Sequence, residues 1–449
     1  MNTTNFKSQI NTALIILIFC FFISGCSKTD MKVSSQPVKE EPEQKEAEEK
    51  TIKTPAKAEL LDAKPANRQE LPIVEDTLGR AYNKFGCSLF KEVVKPGENT
   101  FVSPISISLA LAMTYNGAED KTKEEMASVL NISGFELSSF NEENEKIIKQ
   151  LTSEDKSLKL SIANSLWAKK EEPFKKPFFE IARNFYKAEI ANVDFMAPET
   201  VPRINSWVEE KTQDKIKNLL SKNDVNKDTL LILINALYFK GKWDIPFKEE
   251  RTKERDFYLS GGDAKKVPMM SNSDEFLYSE SSHCQAIQLP YSGENLKMAI
   301  FLPSKNSSLE KFLEKFSEEE WLSLLAKFRI RNGTITMPRF KMEFAIELKE
   351  VLSKLGMPTA FDKENANFRK MCELKPGENV YINKVKHKAF VEVNEEGTEA
   401  AAATAVVMQK ITSIGPGKTF RMVVDRPFFF AIFDSRSNAI LFMGAVEKP

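Results

Sequence analysis

A chain of 449 residues could hold two or three domains of ordinary size, although single large α/β or α+β domains also reach this length. Its 64 basic and 64 acidic residues cancel, which excludes a general attraction to nucleic acid or to an anionic surface. The five cysteines, Cys20, Cys26, Cys87, Cys284 and Cys372, have neither the close spacing of a disulfide scaffold nor the paired spacing of a zinc site.

The first seventy or so residues differ in composition from the rest. Lys7 supplies a short positive segment, and Ala13 to Ile23 is an almost uninterrupted apolar run, too short to span a bilayer comfortably but suited to a cleavable leader. The run closes on Ile23-Ser24-Gly25-Cys26, which resembles the lipobox of bacterial lipoproteins, so residues 1–25 are expected to be a signal peptide and Cys26 a lipid anchor. Several acyl chains on one residue, at about 0.8 kcal/mol per buried methylene, make such an attachment stable. Ser27 to about Glu70 is rich in Glu, Lys and Pro and almost free of aromatics, so it cannot bury enough apolar surface to fold. Residues 26–70 are therefore expected to be a disordered linker with an r.m.s. span of roughly 35 to 40 Å. The expected location is extracytoplasmic, on a cell membrane or outer surface.

From Leu71 to Pro449 apolar and charged residues mix evenly, which predicts one domain. Asp76 to Glu92 carries Leu78, Ala81, Tyr82, Phe85, Leu89 and Phe90 at helical spacing, and Lys95-Pro96-Gly97 ends it. In Ser103 to Met113, Ser103 suits an N-cap, Pro104 the first helical position and Asn116-Gly117 the stop; with small or apolar residues all round, this helix should be buried. Thr122-Lys123-Glu124-Glu125 reads as a capping box opening a surface helix. Leu158 to Ala168 predicts a strand, Val201 to Leu220 an amphipathic helix, and the apolar run Thr229 to Phe239 a strand covered on both faces. Leu296–Leu302, Gly333–Pro338, Ala389–Asn394, Phe420–Val424, Pro427–Phe433 and Ala439–Val446 are further strand candidates. The class is α+β.

With two histidines and no Gly-x-Ser-x-Gly elbow, phosphate-cradling loop or His-Glu-x-x-His, the chain offers no enzyme signature, and neither a metal nor a cofactor is expected. Beyond the leader, Cys87, Cys284 and Cys372 allow one disulfide, but the expectation is buried free thiols.

The segments Asn99-Thr100-Phe101-Val102-Ser103-Pro104-Ile105-Ser106-Ile107-Ser108, Asn235-Ala236-Leu237-Tyr238-Phe239-Lys240-Gly241-Lys242-Trp243, Met298-Ala299-Ile300-Phe301-Leu302-Pro303, Asp425-Arg426-Pro427-Phe428 and His387 to Ala403 stand in the order and at the spacing of the serpins, the serine protease inhibitors. The domain resembles that family throughout residues 71–449, as a prokaryotic lipoprotein member. The resemblance implies helices packed around mixed and antiparallel sheets, with an exposed reactive-centre loop. It further implies a monomer that acts as a suicide substrate: the protease cleaves the loop, and the loop then inserts into the central sheet as a new strand.

By itself the alanine run after Gly397 favours a helix. The resemblance instead makes Glu395, Glu396, Gly397, Thr398, Glu399, Ala400, Ala401, Ala402 and Ala403 the hinge of the loop. In an inserted strand alternate side chains would point inward, and that set, Thr398, Ala400, Ala402, Thr404 and Val406, is small and uncharged. Also by resemblance, Ser103, Ser106, Asn235 and His387 would form a hydrogen-bonded shutter beneath the sheet. Trp243, Arg339 and Glu395 would lie where insertion begins, Arg339 paired with Glu395. For each of these a satisfied core polar group or a weak surface ion pair is the alternative. Counting the usual fifteen residues from Gly397 puts the reactive bond at Ile411–Thr412, favouring elastase-like or subtilisin-like targets; a shift to Lys410–Ile411 would favour trypsin-like ones, the stretch around Gly415-Pro416-Gly417 being longer than in many relatives. A cysteine protease is also a conceivable target. The competing functional reading is a non-inhibitory serpin that serves as a cell-surface binding or structural protein.

Overall fold

The computed structural model describes residues 77–152, 158–170, 172–293, 295–375, 379–398 and 419–449. The leader, Cys26 and the linker lie outside the described residues, as do Glu399, Ala400, Ala401, Ala402, Ala403, Lys410, Ile411 and Thr412. Among the described residues there are nine α-helices: α1 Thr77–Val93, α2 Pro104–Tyr115, α3 Asp120–Val129, α4 Leu137–Leu151, α5 Lys176–Tyr186, α6 Thr200–Lys211, α7 Leu309–Lys315, α8 Glu318–Ala326 and α9 Lys349–Leu355. The strands are β1 Thr100–Val102, β2 Leu158–Lys169, β3 Glu189–Val193, β4 Leu231–Lys242, β5 Lys253–Tyr258, β6 Ala264–Glu280, β7 Cys284–Pro290, β8 Leu296–Pro303, β9 Arg329–Pro338, β10 Phe340–Glu347, β11 Lys384–Val393, β12 Gly397–Thr398, β13 Phe420–Val423, β14 Phe428–Asp434 and β15 Ile440–Val446.

They build two mixed sheets, an α+β fold. One runs β1-β15-β14-β8-β7-β6-β9-β13, with β5 against β6; the other runs β10-β11-β12-β4-β2-β3. Helix α2 joins them, packing on β2 and β4 of the second sheet and on β15 of the first. Every residue of α2 is buried, as its uniformly small and apolar faces predict. Ser103 caps it, its hydroxyl accepting from the Ser106 amide, and Pro104 fills the first turn, where no amide partner exists. Strands β2, antiparallel, and β11, parallel, flank β4, and its apolar run is buried because both faces are covered: Leu231, Leu233 and Leu237 enter the main core, while Ile232, Ile234 and Ala236 pack in a second cluster with Ile204 and Val208 of α6.

Two sequence expectations need correction. The Thr122–Glu125 segment does not cap a helix, because α3 begins two residues earlier, at Asp120. The Thr122 hydroxyl accepts from the Asn367 amide and Glu125 accepts from the amide and hydroxyl of Thr359, so tertiary partners take both side chains. Helix α6 stops at Lys211 rather than Leu220, since Gln213 and Asp214 turn left-handed and Leu220 pairs through its backbone with the Asn205 amide. Strands β3, β5, β6, β7 and β10 give no clear pattern in the sequence. The 17-residue β6 changes partner along its length, from β5 to β9 to β7, so no single alternation of apolar and polar residues spans it.

Cys87, Cys284 and Cys372 are buried thiols outside any disulfide, and burial pushes the first two up to about 12. In the larger sheet Gly444 lies opposite Phe430, whose ring covers the missing side chain; a Cβ there would stand 2.1 Å from the ring. Gly444→Ala should therefore destabilise the domain by about 1–3 kcal/mol through overpacking, read as a lower urea midpoint, whereas an unchanged midpoint would show that the Phe430 ring moves aside freely.

Candidate functional site

Strand β11 carries two polar constellations about 20 Å apart, at the usual 3.3 Å per strand residue. At mid-strand, His387 stands beside Asn235 of β4, and both are buried. His387 Nε2 accepts from the Ser103 amide at 3.2 Å, so the proton sits on Nδ1, which donates to Asn235 Oδ1 at 3.0 Å. Asn235 Nδ2 donates in turn to the Ser106 carbonyl at 2.9 Å and to Asn164 Oδ1 at 2.7 Å. The Ser103 hydroxyl donates to the Leu441 carbonyl at 2.7 Å. Ser103, Ser106, Asn235 and His387 thus meet in one network that ties the cap of α2 to β4 and β11. Ser106 takes part through its backbone; its hydroxyl is buried without a partner, and so is that of Ser108.

Asn164 belongs to this network and was not expected there. The available signal was an amide in the middle of an apolar strand, in register with Asn235 across the β2–β4 pair.

The second constellation lies where β11 ends. Over Lys384–Phe390 the strand pairs in parallel with Ile232–Tyr238 of β4. Beyond that point β12 stands between them, Thr398 opposite Val393 on one side and Gly241 on the other. The chain reverses from β11 into β12 on a tight turn, in which Asn394 Oδ1 accepts from the amides of Glu396 and Gly397. Gly397 has φ +155°, and a Cβ there would stand 2.1 Å from the Gly241 carbonyl oxygen, so the position admits only glycine. Thr398 is fully buried, and its hydroxyl shares a 2.7 Å hydrogen bond with Tyr291. It points inward, as alternation requires; the remaining hinge positions lie outside the described residues.

Trp243, Arg339 and Glu395 converge on this turn. The Trp243 amide donates to the Glu396 carbonyl at 2.8 Å, and its indole Nε1–H to the Asn394 carbonyl at 2.9 Å. Its ring stacks on Tyr291 with centroids 4.6 Å apart. Arg339 Nε donates to both oxygens of Glu395, at 2.7 and 2.6 Å, and the Thr252 hydroxyl donates to the same carboxylate. Glu395 is 4% exposed and Arg339 41%, so the carboxylate is held inside while the cation meets solvent. A cleft of about 480 Å³ opens beside the pair, between β10 and the turn. Tyr291, Thr252 and Asn394 complete this end; nothing in their local sequence marks them, because each is recruited by packing from a different segment.

Burial drives His387 down to about 3 from its ordinary 6.5, because the imidazolium would have no solvent and no counter-charge. The unfolded chain therefore binds the extra proton first on acidification, and this contribution to stability, complete above about pH 6.5, is lost as pH falls toward 3. Urea midpoints measured from pH 7 to pH 4.5 should fall more steeply for the native chain than for His387→Gln; parallel curves would mean that His387 does not resist protonation.

A profile of one family, described as "Serpin (serine protease inhibitor)", matches residues 80–449. Human Serpin B4 is 35% identical over 396 residues, covering 83% of this chain and all of that one. An uncharacterized serpin-like protein of Thermococcus kodakarensis is 33% identical over 442 residues, 98% of this chain and 99% of its own. Among solved structures, the thermophilic serpin tengpin in its native state superposes with a TM-score of 0.76 at 31% identity, covering 84% of this chain and 95% of tengpin.

Proposed function

The chain belongs to the serpin family, and we propose that it inhibits a serine-type endopeptidase as a suicide substrate, trapping the enzyme by inserting its cleaved loop into the smaller sheet. Serpins are typically protease inhibitors rather than enzymes, and the chemistry here would be supplied by the target. The observation that carries the reading is β12: two residues already stand as an antiparallel strand between β11 and β4, which pair in parallel beyond them. Continuing that strand would replace one parallel ladder with two antiparallel ones, and parallel pairing is the less stable per residue. The side chains that would enter, Thr398, Ala400, Ala402, Thr404 and Val406, are small and uncharged, so the core would accept them.

In this mechanism the protease attacks the loop, an acyl-enzyme forms, and insertion races against its hydrolysis. The shutter network would separate as β11 and β4 part, and the Arg339–Glu395 pair would hold the turn until then. The reactive bond is Ile411–Thr412, which fits an elastase-like or subtilisin-like target, with Lys410–Ile411 and a trypsin-like target as the shifted register. The enzyme partner is met outside the cytoplasm, where lipid on Cys26 holds the chain to a membrane through the 26–70 linker.

Two experiments test this. The full chain carrying Cys26→Ser, mixed with elastase, subtilisin and trypsin, should give a complex that survives denaturation and a peptide spanning Thr412–Pro449. A peptide starting at Ile411 moves the bond, and cleavage without complex across a wider panel favours the non-inhibitory binding protein. Thr398→Arg would place an unpaired charge in the sheet on insertion and should convert inhibition into plain cleavage; undiminished inhibition would refute insertion. Separately, Cys26→Ser should move the protein from the membrane to the soluble fraction and abolish incorporation of labelled fatty acid. Retention of the label would place the acyl group elsewhere.

A further inference from the structure

The segment after the reactive bond re-enters the fold at β13, and its foot is firmly set. Phe420 stacks on Tyr278 with centroids 3.9 Å apart and planes 6° from parallel, and Gln285 Nε2 donates to the Tyr278 hydroxyl at 2.8 Å and to the Arg421 carbonyl at 3.3 Å. Around this foot lie two adjoining clefts, of about 830 and 510 Å³, which share Glu280, Ser281, Cys284 and Ser304. Phe312, Leu324 and Ala286 give the larger one apolar walls. Its rim carries Lys311, Lys315, Lys327 and Arg331, and the smaller cleft adds Lys305 and Arg421. None of these six cations makes an ion pair with a described residue. Against them stand Glu280, Glu314 and Glu320, while Asp425 and Arg426 neutralise each other at 2.8 Å. A chain of zero net charge thus concentrates three surplus positive charges on one concave face.

We infer that this face is a docking surface for the target protease, and that it selects an enzyme with carboxylates on the rim that receives the residues following the cleaved bond. The inference rests on the suicide-substrate reading for the identity of its partner. Thr419 stands seven residue steps after Thr412, a reach of at most roughly 25 Å at 3.3–3.6 Å per residue. A protease domain of about 230 residues is roughly 45 Å across, so an enzyme seated on the bond is large enough to reach the clefts. A concave site with low-dielectric walls focuses the field of its charges and raises encounter rates by about ten- to a thousandfold. Rim charges of this kind act on the association rate and its salt dependence more than on the lifetime of the complex.

The test uses the full chain with Cys26→Ser and two subtilisins that differ only in carboxylates added around the exit side of the active-site cleft. Loop cleavage, read by mass spectrometry as release of the C-terminal peptide, should be about tenfold faster with the acidic subtilisin at low salt. The difference should vanish near 0.5 M salt, where the screening length drops below about 5 Å, and should be lost in the double variant Lys327→Glu with Arg331→Glu. Both side chains are exposed, so the unfolding midpoint should fall only slightly, through the carboxylate placed at the C-cap of α8; the neutral pair Lys327→Gln with Arg331→Gln should show an intermediate loss. Equal rates for the two subtilisins, or a charge effect untouched by the double variant, would overturn the inference. Because cleavage is counted whether or not a complex forms, trapping with equal rates would refute only this surface, and charge-dependent cleavage without trapping would refute only the inhibitor reading.

Discussion

The parallel ladder between Lys384–Phe390 and Ile232–Tyr238 is the constraint on which the smaller sheet depends. Neighbouring strands in a sheet normally pair along their whole shared length, because an unpaired buried amide or carbonyl is costly. Here the pairing of β11 with β4 ends at Phe390 and Tyr238, and past that point two residues of the chain itself, Gly397 and Thr398, pair with both strands. A strand of that length is held by its surroundings: the Asn394 turn, the Trp243 amide and indole, and the Thr398–Tyr291 hydrogen bond. The result is a sheet closed at the middle by backbone pairing and plugged at one end by a strand of two residues.

A polar network buried under such a ladder is an unusual way to fill a core, since apolar side chains of the same volume would often stabilise it more. The network is nevertheless well satisfied through His387, Asn235, Asn164 and Ser103, each of which has a hydrogen-bond partner. Its directionality fixes β11 and β4 against the N-terminus of α2 in one relative position, which apolar contact alone would leave freer to slide. The unpartnered hydroxyls of Ser106 and Ser108 on the same helix keep the contact surface small, and small side chains let strands and helix approach closely.

How much of this was readable in the chain depends on how local the signal is. Helix α2 was legible down to its cap, because Ser103 and Pro104 act on the first turn and the composition of the helix alone dictates burial. The central position of β4 followed from its unbroken apolar run. Family motifs named Ser103, Asn235, His387, Trp243, Arg339 and Glu395 in advance, and the structure gathers them into two clusters. The Thr122 capping box misled because a pattern of four residues cannot report that Asn367 and Thr359 compete for the same side chains. Tyr291, Thr252 and the cationic clefts around Phe420 left no local trace, and Asn164 left only an amide in the middle of an apolar strand.

The sequence by itself determined the buried helix, the central strand and the apolar run closing on Cys26, since each depends on neighbours within a few positions of the chain. Only the tertiary structure decided that β11 and β4 run in parallel side by side, that Gly397 and Thr398 lie between their ends, that His387 is held neutral, and that six cations without an ion pair among the described residues share one face. Those depend on strand register and on charges brought together from segments tens to hundreds of residues apart, and neither is encoded in any local pattern.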